Sequence, residues 1–115
     1  MNELLNWNTL WLDYPVLIRF ERTGGFAGLS QRATLDSESL TPEQLEELER
    51  LLEHSRFFEL PVKLEARAPG ADRFQYLLTV EDKGRVHTVR AGDAAVPNSL
   101  RPLLDWLGAA ARARR

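Results

Sequence analysis

Val16-Leu17-Ile18-Arg19-Phe20-Glu21-Arg22-Thr23-Gly24-Gly25-Phe26-Ala27-Gly28-Leu29-Ser30-Gln31-Arg32-Ala33-Thr34-Leu35-Asp36 is the stretch on which the fold turns. Val16, Ile18 and Phe20 fall on one side of an extended chain and Leu17, Arg19 and Glu21 on the other, the period of two expected of a strand with one buried face. Beyond the glycines, Leu29, Ala33 and Leu35 alternate with Ser30, Arg32, Thr34 and Asp36, and only Gln31 breaks the pattern. Gly24, Gly25 and Gly28 supply the positive φ angles that a tight reversal needs. The stretch therefore predicts an antiparallel hairpin with a glycine-rich tip.

Downstream, Leu40-Thr41-Pro42-Glu43-Gln44-Leu45 reads as a helix start. Thr41 is the N-cap, Pro42 takes the first helical position, Gln44 closes a capping box and Leu40 staples to Leu45. Leu45, Leu48, Leu51 and Leu52 form one apolar stripe, while Glu43, Glu46, Glu47, Glu49 and Glu53 face water. The helix is expected to end between His54 and Arg56, with Phe57, Phe58 and Leu60 closing the core before Pro61. Lys63 to Ala71, with Pro69-Gly70, follows neither period and reads as a loop with room for a short edge strand.

Phe74, Tyr76, Leu78 and Val80 then alternate with Arg73, Gln75, Thr79 and Glu81, Asp82-Lys83-Gly84 turns the chain, and Val86 to Ala91 returns as a further strand. Beyond Asp93 a second helix is expected. Counting from Pro42, leucines stand at +3, +6, +9 and +10; counting from Pro97, Leu100, Leu103, Trp106 and Leu107 stand at the same offsets. Either a strand-turn-strand-helix unit is used twice, or two amphipathic helices coincide in pattern. Pro102 lacks the N–H that an interior helical bond requires, so the second helix is expected to break or restart there. The element order ββαββα predicts an α+β domain: four antiparallel strands with two helices on one face.

The length of 115 residues and the mass of 13.1 kDa fit one domain. By area scaling such a chain buries roughly two thirds of its unfolded surface, enough for a core without covalent staples. It has no cysteine, which excludes a disulfide framework, a thiolate nucleophile and a cysteine zinc site. Net charge is −2, with 28% charged and 43% apolar residues, a globular balance. Residues 1–60 hold five Arg against eleven Asp or Glu, whereas residues 61–115 hold ten Lys or Arg against six Asp or Glu. Neither half is basic enough to predict nucleic-acid binding. Met1 to Tyr14 carries no Lys or Arg and no small-residue cleavage site, and no apolar run reaches bilayer length, so neither a signal peptide nor a membrane span is expected and the cytoplasm is the default location.

Few residues suggest chemistry. His54 and His87 lack metal-ligand spacing; His54 reads as a helix-end cation and His87 as an exposed strand position. The glutamate face of the first helix lacks the burial that would separate carboxylate pKa values for acid–base work. Gly24 to Gly28 is no P-loop, since it has no lysine and leads into a strand. No serine sits in a nucleophile elbow. No enzyme, metal or cofactor is expected. Leu4, Trp7 and Trp11 share one side of a short helix ahead of Pro15, residues 1–14 thus forming an extension to the single domain of residues 15–115. These tryptophans either dock on the chain's own core or make a partner or homodimer surface. Phe26, flanked by glycines, either folds back onto its sheet or projects toward another protein.

Arg19 to Gly28, together with Asp72-Arg73-Phe74-Gln75-Tyr76, Thr79-Val80-Glu81-Asp82 and Leu100-Arg101-Pro102-Leu103, resembles the emfourin-like family over roughly Val16 to Leu107. Its members include protein inhibitors of thermolysin-like (M4) zinc metallopeptidases. The resemblance implies a non-enzymatic domain that blocks a related bacterial peptidase inside the cell, with Gly24, Gly25, Phe26, Ala27 and Gly28 as the partner-binding residues. Such an inhibitor needs only a rigid scaffold and a presented loop. The alternative from another class is a structural or homodimeric module using the Trp7 and Trp11 surface, with a small-molecule binder between sheet and helices as a third.

Overall fold

The computed structural model describes residues 15–25, 29–65 and 74–113. Trp7 and Trp11, with the expected N-terminal helix, lie outside the described residues, as do Phe26, Ala27 and Gly28. Strands β1 (Leu17–Gly24) and β2 (Leu29–Asp36) pair antiparallel from Leu17 opposite Asp36 to Gly24 opposite Leu29, which is the expected hairpin. Helix α1 (Pro42–Ser55) starts as its sequence dictates: Gln44 N donates to Thr41 Oγ1 at 3.1 Å and Thr41 N to Gln44 Oε1 at 2.9 Å. It stops at Arg56, whose φ of 50° is left-handed, and Phe57 follows into the core.

Strands β4 (Phe74–Asp82) and β5 (Arg85–Gly92) form the second hairpin around Lys83 and Gly84, with φ of 54° and 82°. Positive φ at both central positions gives the mirror-image turn whose twist suits a two-residue hairpin. Helix α2 (Arg101–Ala113) follows. It begins later than expected from Asp93 onward. Asp93–Ala95 forms a 3-10 turn, Leu100 N and Arg101 N both donate to Pro97 O, and the regular helix takes Pro102 as its second residue. A proline is tolerated in the first turn because its missing N–H has no partner there.

Among the described residues the sheet has five strands, not four: with β3 (Lys63–Leu64) the order is β2-β1-β4-β5-β3, and the sheet is mixed rather than wholly antiparallel. The addition is β3, parallel to β5, with Arg90 N donating to Val62 O at 2.7 Å. Two residues show no period, and their pairing depends on a strand more than twenty positions away. Val16, Ile18, Phe20, Leu35, Tyr76, Leu78, Val80 and Val89 line one sheet face, and both helices close it with Leu48, Leu52, Leu103, Leu104 and Leu107. Leu48 and Leu52 answer to Leu103 and Leu107 in the offset pattern, and all four are buried. No helix among the described residues is long and apolar enough to cross a membrane.

His87 also departs from expectation. It lies on the core side of β5, half-buried, its Nε2 2.7 Å from Leu60 O and its ring edge-on to Phe57 at 5.4 Å. Val80 is its cross-strand neighbour, so the strand's parity forces the imidazole inward. The ring serves as a packing piece with one hydrogen bond.

Candidate functional site at the glycine end of the sheet

β1 and β4 run antiparallel, so the tip that follows β1 and the turn that follows β4 leave opposite ends of the sheet. At the tip end five strand ends converge: Gly24, Leu29, Leu64, Phe74 and Gly92, the last leading into α2. Gly24 and Gly25 have φ of 115° and 85°, values that a side chain opposes. Gly24 is hemmed between Leu29 and Phe74 by its two strand neighbours. Gly25 lies against the Phe74 ring: a Cβ there would stand 3.2 Å from Phe74 Cε1. The Arg22 guanidinium covers the same ring, 4.7 Å from its centroid, a cation–π contact. The root of the tip is thus held by backbone pairing on both sides and by a capped aromatic ring.

One step inward, Arg22 pairs across the sheet with Tyr76 on one side and Gln31 on the other. The buried Tyr76 ring lies 6.3 Å from Phe20, and its hydroxyl is 3.5 Å from Asp93 Oδ1. Arg101 completes the cluster, donating through Nη1 to Asp93 Oδ1 at 3.1 Å and through Nη2 to Asp93 O at 3.0 Å, with its guanidinium 5.9 Å from the Tyr76 centroid. Partial burial by itself works against the charge on Arg101. The hydrogen bond and charge of Asp93, with a smaller contribution from Tyr76, outweigh it and hold the guanidinium above its ordinary pKa. A raised folded value means this contribution is complete below the ordinary arginine range and is lost only in stronger base. The ion pair ties the start of α2 to the end of β5.

Sequence reasoning placed Gly24 and Gly25 correctly at the reversal but missed Arg22, Phe74, Tyr76, Asp93 and Arg101 as one cluster. One local signal was available. Arg101 opens a helix, where a cation opposes the helix dipole, and that mismatch calls for a nearby carboxylate. The opposite end offers no comparable convergence. A shallow open groove between α1 and the β4–β5 turn mixes Glu49, Glu53 and Glu59 with Arg50, Arg56 and Lys83. Of the two histidines, His54 is exposed in the last turn of α1 and His87 is the packed residue described above.

With this geometry in hand, comparison with known proteins gives one match: the sequence pattern that defines the Emfourin family covers residues 20–108. The chain belongs to the Emfourin family. The matched span runs from Phe20 in β1 to Gly108 in α2, so it takes in most of those two elements, every element between them and every residue of the tip-end cluster. Family membership points to a protease-inhibitor role. No curated protein and no solved structure matches the chain.

Proposed function

We propose that this Emfourin-family chain inhibits a thermolysin-like metallopeptidase by inserting the Gly24–Gly28 tip into the enzyme's cleft. The observation that carries this reading is the matched family span together with the convergence of Arg22, Gly24, Gly25, Phe74, Tyr76 and Arg101, all inside it, on one end of the sheet. An inhibitor must present a backbone segment without spending its affinity on ordering that segment. Here the root of the tip is closed by the Gly24–Leu29 pair, with Gly25 against the Phe74 ring, while Arg101 and Asp93 brace the adjoining connection.

Thermolysin-like enzymes as a class cut on the N-terminal side of a bulky apolar residue. Gly25-Phe26 offers that bond, with Phe26 for the specificity pocket and a glycine on its N-terminal side so that no Cβ obstructs approach of the backbone. A firmly closed root favours a bound complex over turnover, because a restrained backbone resists the distortion that cleavage requires. Mixing the purified chain with a thermolysin-like peptidase and with an unrelated serine peptidase tests the reading: selective loss of the metallopeptidase activity is expected, and full activity of both enzymes at excess chain would overturn it.

A further inference from the structure

We propose that the outer edge of β2 is a self-association seam, on which β2 of a second copy of this chain adds antiparallel about a two-fold axis at Thr34. This goes beyond inhibition and does not depend on it. The two margins of the sheet differ. At one, β5 is covered by β3. At the other, among the described residues, no strand pairs with the outer side of β2. Ser37 N donates to Val16 O at 2.9 Å, which sets the phase of the β1–β2 ladder. By the alternation of antiparallel pairing, Leu29, Gln31, Ala33 and Leu35 turn their backbone groups toward β1, and Ser30, Arg32, Thr34 and Asp36 turn theirs outward. Ser30, Arg32 and Thr34 are exposed. The strand runs eight residues in unbroken register and contains no proline and no lysine, so two common devices that blunt an edge are missing.

The charges select both the occupant and its register. Centring the two-fold on Thr34 sets Arg32 opposite Asp36 of the second copy, and by symmetry Asp36 opposite Arg32, with Thr34 facing Thr34 between them. Opposite charges and threonine pairs directly across a ladder are both stabilising. Centring on Arg32 or on Asp36 would instead oppose like charges. Arg32 already meets Glu21 through Nε at 2.6 Å and Asp36 Oδ1 accepts from Glu38 N at 2.8 Å, which leaves the Nη donors of Arg32 and Oδ2 of Asp36 for the partner copy. Asp36 O already accepts from Ser39 Oγ at 2.7 Å, but a carbonyl keeps a second lone pair for the new ladder. With a net charge of only −2 per copy, general repulsion is weak. A single strand pair sits at the small end of interface sizes, so the association is concentration-dependent rather than permanent.

Because the chain has no cysteine, Thr34→Cys reads the axis directly. Hydrogen-bonded antiparallel neighbours have Cα atoms about 5.5 Å apart, within disulfide range. Under mild oxidation the Thr34→Cys chain is expected to form covalent dimers at least about tenfold faster than Glu46→Cys, on the exposed face of α1, because pairing raises the effective thiol concentration. In sedimentation, the unmodified chain should move toward dimer between about 10 µM and about 1 mM, and Thr34→Pro, which removes an outward N–H and leaves the β1 ladder intact, should weaken this at least about tenfold. Equal crosslinking of the two cysteine variants, or a monomer throughout that range, would overturn the proposal. So would a Thr34→Pro chain with wild-type circular dichroism and undiminished dimerisation; if that variant does not fold, the cysteine pair decides alone. Hydrogen-exchange protection of β2 that arises only on adding the peptidase, with the chain otherwise monomeric, would assign the edge to a foreign strand and equally overturn it.

Discussion

The two hairpins occupy equivalent places in one repeated layout and are finished in opposite ways. β1 and β4 are antiparallel neighbours at the centre, β2 and β5 flank them, and each hairpin feeds a helix with the same leucine spacing. The β4–β5 hairpin closes with two residues, and its end is sealed: the Arg85 guanidinium lies 4.0 Å over the Phe58 ring, and Phe57, Phe58 and His87 pack together. The β1–β2 hairpin closes with four residues, three of them without a bulky side chain, on a root clamped by Phe74 and Arg22. One reversal is sealed by core side chains, and the other is rooted on a single capped ring. The same two-strand unit supports both because its stability comes from the shared apolar face and not from the loop.

Substitution can break that contrast, and the largest effect is expected at the sealed end. Phe57 is 1% exposed, so Phe57→Ala should lower unfolding free energy by about 3–5 kcal/mol in chemical denaturation, the range for deleting a buried aromatic. Inhibition by the fraction still folded should not change; a weakened inhibition constant for folded protein would mean that this end also meets the enzyme.

Next comes the presented end. Phe26→Ala is expected to weaken inhibition by ~2 kcal/mol, about thirtyfold, with little change in melting temperature. The reverse pattern, a large stability loss, would show that Phe26 folds back onto the sheet. The two readings separate cleanly because one measurement reports the complex and the other the free chain.

A smaller pair of changes sharpens the comparison at matched backbone geometry. Gly25 and Gly84 have φ of 85° and 82°, so Gly25→Ala and Gly84→Ala carry the same left-handed strain of roughly 1–2 kcal/mol. They differ in what a Cβ meets: the Phe74 ring at 3.2 Å for Gly25, nothing within 4 Å for Gly84. Gly25→Ala should therefore be the more destabilising of the two in thermal melts and the only one to impair inhibition. Equal effects on both readouts would show that Phe74 does not seat the tip. The smallest effect is expected away from both ends, where Thr41→Ala removes the N-cap of α1 and should cost about 1 kcal/mol of stability without touching inhibition.

How much of this was legible in the sequence follows from the range of each interaction. The hairpin, the capping box at Thr41 and Gln44, the end of the first helix between His54 and Arg56 and the turn at Asp82-Lys83-Gly84 are each governed by residues within a few positions of one another, and each was read correctly. The first stretch quoted also carried part of the candidate site, since Gly24 and Gly25 are needed for backbone reasons alone. β3 was only a possibility within a loop, because its two residues become a strand by pairing with Arg90 and Ala91. His87 was misplaced for a related reason: nothing beside it in the chain reveals that Leu60 supplies its acceptor and Phe57 its neighbour. Gln31, the one break in the alternation of β2, is buried all the same, with Nε2 3.4 Å from Gly108 O in α2.

What the sequence determined by itself, then, is the two hairpins and two helices and the apolar stripes they bury, because periodicity, caps and glycine conformations are local energies that no distant contact needs to supply. The tertiary structure alone decided the order of the strands, the parallel fifth member, and the assembly of Arg22, Phe74, Tyr76, Asp93 and Arg101 at the glycine end. Those depend on antiparallel contact between β1 and β4, whose paired residues lie 50 to 64 positions apart in the chain. A charge or ring placed at such a distance leaves no period in the sequence, and only the closed sheet brings it to its partner.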